Sequence, residues 1–169
     1  TAIDYRGAAS LSIDSNNFQK LKTDSEHRKY GYSASTTPGS VHGLLTAHQK
    51  WGKLKLKTIM QYVIDQAKSG IRVSYDLHQA IKSAPQLTLD PESRKIYFLT
   101  NGDALPEGYL MKRPDLAKTF NLIARDGLDG FYKGKIADAF AASMHSNKGY
   151  LTLEDMSAYQ SKITNPVST

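Results

Sequence analysis

Side chains able to do chemistry are sparse in this sequence and seldom stand at working distances from one another. Ser40 sits in Gly39-Ser40-Val41-His42-Gly43, which looks at first like a nucleophile elbow. That strained turn needs glycine two residues before the serine, and Pro38 stands there. His27, His42, His48, His78 and His145 are dispersed; His42 and His48 fall about 240° apart around a helix, a poor preformed metal pair. Asp126-Gly127-Leu128-Asp129-Gly130 lacks the alternating oxygen ligands and distal glutamate of a calcium loop. Gly134-Lys135 is followed by Ile136, where a phosphate loop needs Ser or Thr. Thr1 has the chemistry of a nucleophile whose own amine is the base, although an arbitrary chain boundary is the simpler reason for a threonine there. With no cysteine, thiolate nucleophiles, thiolate metal sites and disulfides are excluded, and either redox compartment is permitted.

The charge balance raises one further class of activity. Twenty-two Lys and Arg against 16 Asp and Glu give a net charge of +6, which makes acidic partners worth weighing. The densest basic stretch, Lys50, Lys53, Lys55 and Lys57, is interleaved with Leu54 and Leu56 and has only Trp51 as an aromatic. It reads as a solvated connection between helices rather than a platform on which bases stack, so no nucleic-acid partner is expected. A non-catalytic helical module docking an acidic partner stays open as an alternative. Apolar runs such as Ile96-Tyr97-Phe98-Leu99 are far short of the roughly 20 residues of a membrane-spanning helix, so no membrane span is expected. Thr1-Ala2-Ile3-Asp4-Tyr5-Arg6 shows no signal peptide, and an excised piece of a longer protein would show none.

The elements that must position these residues are mostly helical. A chain of 169 residues suits one domain, expected here as a single segment with a strand over 1–10, a loop over 11–41 and a helical region over 42–169. Ile3 to Arg6 alternates as a short strand with no obvious partner, which places the rest of its sheet outside the chain. Residues 14–40, rich in Ser, Thr, Asn, Lys and Gly, lack periodicity. Pro38-Gly39-Ser40 precedes a stripe of Leu44, Leu45, Ala47, His48 and Trp51 that ends at Gly52. Ile59, Met60, Val63, Ile64 and Ala67 form a second stripe closed by Gly70; Ser74 caps a third helix that Pro85 stops. Ile96 to Leu99 with Asn101-Gly102 predicts a loose hairpin returning toward Tyr109 to Met111. Pro114 opens a helix ended by Gly127, and Ile136, Phe140 and Met144 mark the next. Thr152 and Asp155 form a capping box with aspartate in place of glutamate, and Pro166 marks the exit from that last helix.

From end to end the chain resembles the large-subunit portion of gamma-glutamyltranspeptidases. Ile3-Asp4-Tyr5-Arg6 with Ala9 is similar to the family's Asp-aromatic-Arg-Glu-x-Ala-Pro segment, and Pro38-Gly39-Ser40-Val41-His42-Gly43-Leu44 to its Pro-Gly-Thr/Ser-Val-x-Gly-Leu segment. Trp51-Gly52-Lys53-Leu54, Gly70 with Val73-Ser74, Gly108, and Pro114-Asp115-Leu116-Ala117-Lys118-Thr119 follow in order. Phe131-Tyr132, Gly134, Ile136-Ala137, Leu151-Thr152, Glu154-Asp155-Met156, Tyr159 and Pro166 complete the pattern.

The resemblance implies a mainly α segment with a few short strands, part of an αββα N-terminal-nucleophile hydrolase. In that family the precursor cleaves itself, and the freed threonine of the small subunit attacks the gamma-glutamyl amide of glutathione; acyl transfer to water, an amino acid or a peptide follows. The nucleophile's Thr-Thr-His segment does not occur in this chain, nor does the family's glycine-rich beginning. The expected partners are a gamma-glutamyl substrate and the small subunit, with no metal or organic cofactor, in a periplasmic or secreted location. Arg6 is the one functional residue carried over by motif, as the arginine that holds the donor's alpha-carboxylate. Gly7 and Ser10 depart from the family's glutamate and proline. Relatives of the same architecture include cephalosporin-type acylases and capsule-processing transpeptidases. Pro38, Gly39 and Gly43 are expected to let a helix start close to another backbone, Asp115 and Thr152 to start helices, and Tyr132 and Tyr159 to be packed aromatics with bonded hydroxyls.

Overall fold

Helices form where a cap and an apolar stripe coincide. The computed structural model describes residues 1–23 and 29–166, and of 20–23 the backbone alone; His27 lies outside the described residues. In chain order the elements are β1 (Ala2–Asp4), α1 (Ser15–Thr23), α2 (Ser40–Trp51), α3 (Leu56–Ser69), β2 (Ile71–Arg72), α4 (Tyr75–Lys82) and α5 (Pro91–Tyr97). After these come β3 (Leu110–Met111), α6 (Pro114–Asp126), α7 (Asp129–Tyr132), α8 (Gly134–Ser146), α9 (Leu153–Ala158) and β4 (Lys162–Thr164). The expected class, mainly α with a few short strands, is what is observed. Gly70 and Gly127 end α3 and α6 at φ 101° and 62°, a left-handed conformation that strains other residues. Ser74 caps α4 by accepting the Leu77 N–H at 3.1 Å, and the capping box of Thr152 and Asp155 opens α9.

Three expectations are corrected. First, β1 does have a partner: it pairs antiparallel with β4, Ala2 against Thr164 and Asp4 against Lys162. Lys162-Ile163-Thr164 is too short a run to stand out by periodicity. Second, the 11–41 loop contains α1 and a 3-10 turn, Tyr32–Ala34. Its start signal is Asp14, whose Oδ1 accepts the Asn17 N–H at 2.7 Å. Third, Ile96 and Tyr97 are helical, because Asp90 caps α5 by accepting the Ser93 N–H at 2.7 Å and Pro91 fixes its first turn. The chain does turn back after α5, but only as far as a bridge from Phe98 to Ala104; β3 pairs with β2 instead. The chain divides into two compact units, Thr1–Thr58 with Leu122–Thr169, and Ile59–Asn121.

Each unit has its own core. In the discontinuous unit Tyr132, Ala137, Met156 and Tyr159 are buried together, with Val41, Leu128, Phe131 and Phe140 packed on them. In the continuous unit the buried set is Val73, Ile81, Leu105 and Met111. Fully burying a side chain of this size contributes about 1.5–3 kcal/mol, so each cluster is enough to hold the short helices around it.

Candidate functional site

Arg6 lies two residues beyond β1, and its main chain is fixed on both sides. Its N–H donates to Asp4 Oδ1 at 3.0 Å, and its carbonyl accepts the Tyr159 hydroxyl at 2.9 Å. The side chain is exposed, and no carboxylate among the described residues forms an ion pair with the guanidinium. Arg6 lines a shallow cavity of about 560 Å³ together with Asp4, Tyr5, Thr36, Thr37 and Ser40 among others. Arg6 is thus a fixed backbone carrying a free cation.

Glycines bring the two walls of the cavity together. A Cβ on Gly39 would overlap the Tyr5 carbonyl and the Tyr159 hydroxyl, one on Gly43 would overlap the Tyr5 ring, and one on Gly7 would overlap Thr36 Oγ1. Residues 6–8 and 36–38 then run side by side, joined by the Thr37 N–H to Ala8 carbonyl bond of 2.8 Å. The close helix start expected at Gly39 and Gly43 is observed. Gly7, a departure from the family motif, leaves no carboxylate after Arg6 and lets the Thr36 hydroxyl approach the backbone.

Tyr132 and Tyr159 are buried, as expected of packed aromatics. Their rings stack at 5.8 Å with an interplanar angle of 8°, and His42 meets both edge-on at 5.9 and 5.7 Å. The Tyr132 hydroxyl donates to the Pro38 carbonyl at 2.6 Å and accepts the His42 N–H at 3.1 Å. Burial pushes its pKa up to about 12, a rise that the His42 N–H partly offsets. Burial, and then the charge of Asp4, raises Tyr159 as well. Both phenols therefore remain protonated hydrogen-bond donors at neutral pH. His42 Nδ1 accepts the Ser161 N–H at 3.2 Å, so the neutral ring carries its proton on Nε2; desolvation lowers its pKa.

Further along the same segment, at Ser10 and Leu11, a second polar cluster ties it down. Ser10 Oγ donates to Asp155 Oδ2 at 2.8 Å, and the Leu11 N–H donates to Asp155 Oδ1 at 2.6 Å. Thr152 adds its N–H at 2.7 Å and its hydroxyl at 2.9 Å. Burial alone would raise the Asp155 pKa, but these four donors outweigh it and hold the carboxylate below its usual range. Ser10, the other departure from the family motif, thus has a structural partner. The capping box was legible from residue types, whereas its bonds to Ser10 and Leu11 span about 145 residues and have no local signal.

Comparison with known proteins assigns the chain. The sequence model described as Gamma-glutamyltranspeptidase matches residues 1–169. The glutathione hydrolase proenzyme of Escherichia coli K12 is 33% identical over 171 residues, covering 99% of this chain and 30% of that protein. The solved gamma-glutamyltranspeptidase of Helicobacter pylori superposes with a TM-score of 0.88 at 31% identity, covering 98% of this chain and 48% of that one. A cephalosporin acylase from Bacillus halodurans, with a TM-score of 0.85 at 24% identity over 99% of this chain and 32% of that one, shares the fold. The present chain spans about a third to a half of the length of these relatives. A match from the first residue to the last, carried by both sequence and fold, places this chain in the gamma-glutamyltranspeptidase family.

Proposed function

We propose that this chain is part of an enzyme that transfers the gamma-glutamyl group of glutathione or related amides to water, amino acids or peptides, and that Arg6 grips the alpha-carboxylate of the donor. The observation that carries this reading is a guanidinium without an ion pair among the described residues, held at a cavity by a backbone anchored on both sides. A planar guanidinium grips a carboxylate through two parallel charge-assisted hydrogen bonds, which lysine cannot reproduce. Such a bond is worth about 1.5–3 kcal/mol. Arg6 does no bond making; it orients the donor so that the gamma-amide faces the nucleophile.

In this reading the reaction is covalent acyl transfer. A threonine at the start of the self-cleaved small subunit attacks the amide carbon, its own amine takes the proton, the amine product leaves, and water or an amine resolves the ester. The nucleophile and the donors for the tetrahedral oxyanion lie on that subunit, so this chain alone is inactive, and no cofactor takes part. Export to the periplasm or outside follows from the same reading.

The test is gamma-glutamyl anilide hydrolysis by the intact precursor, wild type against Arg6→Gln, after a gel shows that both self-cleave. A fall in kcat/KM of tenfold or more, about 1.4 kcal/mol, is expected. A processed Arg6→Gln enzyme with unchanged kcat/KM overturns the role of Arg6. Gly7, which stands where the family motif has glutamate, favours a second reading in which the donor is a cephalosporin side chain or a polyglutamate. Rates on those substrates with the same intact enzyme decide between the two.

A further inference from the structure

The two stacked tyrosines treat the cavity walls alike: one phenol donates to the Arg6 carbonyl at 2.9 Å, the other to the Pro38 carbonyl at 2.6 Å. Their hydroxyls reach segments far away in sequence, and Gly39 leaves the space that the Tyr159 hydroxyl occupies. We infer that Tyr159 is a positioning residue for substrate binding, its hydroxyl setting the backbone of Arg6 and thereby the direction in which the guanidinium meets the donor carboxylate. This rests on the reading of Arg6 given above.

The physical case has three parts. The ring is 8% exposed and cannot drift, because Tyr132 stacks on one face and His42 meets it edge-on. Burial, and then Asp4, raises the phenol's pKa, so at neutral pH the hydroxyl is protonated and donates. The Arg6 side chain has no ion pair among the described residues, so the aim of its long, flexible stem depends on where its backbone is held. Bidentate geometry is sensitive to that aim, and small displacements of a substrate clamp are amplified in binding.

The test uses the self-processed enzyme and two donors, gamma-glutamyl anilide and its analogue without the alpha-carboxylate, 4-aminobutanoyl anilide. Tyr159→Phe is expected to raise KM for the first donor by about five- to tenfold with kcat little changed, and to leave KM for the second within about twofold. The increase is expected to vanish in an Arg6→Gln background. Equal losses on both donors, or full persistence of the effect without Arg6, overturn the proposal in favour of a merely structural hydroxyl. If Arg6→Gln itself changes neither donor, the reading of Arg6 fails, which is a different result. Should Tyr159→Phe not self-process, a fluorinated tyrosine at 159 keeps the ring and the hydroxyl but loses its proton at lower pH. The KM ratio of the two donors should then rise with pH earlier than in the native enzyme, and a ratio that stays flat as that phenol ionises overturns the proposal.

Discussion

The two units of this chain solve the problem of stability with different kinds of bond. In the discontinuous unit, buried polar groups reach across the sequence: Tyr159 to Arg6 spans 153 residues, Ser10 to Asp155 spans 145, and His42 to Ser161 spans 119. In the continuous unit the structure is tied by local caps and an apolar cluster, and its longer side-chain bonds, Arg72 to Gly108 and His78 to Leu105, span 36 and 27. Apolar burial is non-directional and tolerates repacking, whereas a buried hydrogen bond fixes an atom in place. The unit that holds Arg6 is the one built with directional bonds.

The largest expected difference between the units lies in how they respond to loss of one buried group. Asp155→Ala strands the donors of Ser10, Leu11 and Thr152 and should cost about 3 kcal/mol or more, read as a lower urea midpoint of the intact enzyme. In the continuous unit Ile81→Val should cost about 0.5–1.5 kcal/mol and leave KM unchanged. Equal costs would erase the contrast. Next comes Gly39→Ala, whose methyl meets the Tyr5 carbonyl and the Tyr159 hydroxyl; overpacking of this kind costs about 1–3 kcal/mol. Here KM for gamma-glutamyl anilide should rise with it, which a simple loss of stability does not require.

The pH dependence of stability should be strongest at the buried groups of the discontinuous unit; in the other unit Asp90, whose carboxylate the Ser93 N–H holds below its usual range, adds a dependence at acid pH only. Asp155 and His42 both have lowered pKa values, so the unfolded chain binds more protons as the medium turns acid. The His42 contribution fades as pH falls below about 6.5, and that of Asp155 as it falls below about 4 through its lower folded value. Tyr132 is shifted the other way: its contribution is whole below about pH 10 and is lost as pH rises to about 12. Hydrogen exchange of the intact enzyme across this range should show protection falling first at the amides of Leu11, His42 and Ser161, and a uniform fall over both units would contradict the assignment. The smallest effect is expected at the exposed pair of Lys118 and Asp115, where Asp115→Asn should leave Tm unmoved.

What could be read in the sequence divides by the range of the signal and not by unit. Helices α2, α3, α4, α6 and α8 carry stripes and end signals within a few residues, so they were legible. Helix α5 was missed because Ile96-Tyr97-Phe98 are β-formers, although Asp90-Pro91-Glu92 is a start signal that outweighs them. Helix α1, with Ser-Asn-Asn in its first turn, has no apolar stripe to detect. At the candidate site, Arg6 is proposed from a motif, and the packing of the two tyrosines was legible from their type. Their bonding partners were not, since nothing near residue 159 encodes the carbonyl of residue 6. Gly39 is the exception: a glycine beside a helix start already implied a close backbone neighbour, and the Tyr5 carbonyl is that neighbour.

The pairing of β1 with β4 also sets an order of assembly. Residues 59–121 have all their core partners within one stretch of chain and can condense as soon as that stretch is complete. The first 58 residues, including Arg6, wait for Met156, Tyr159 and β4, and closing so long a loop carries an entropic penalty that only non-local contacts repay. On the ribosome, the cavity around Arg6 would therefore take shape after the unit of residues 59–121, with the β1 edge exposed to other chains until β4 emerges.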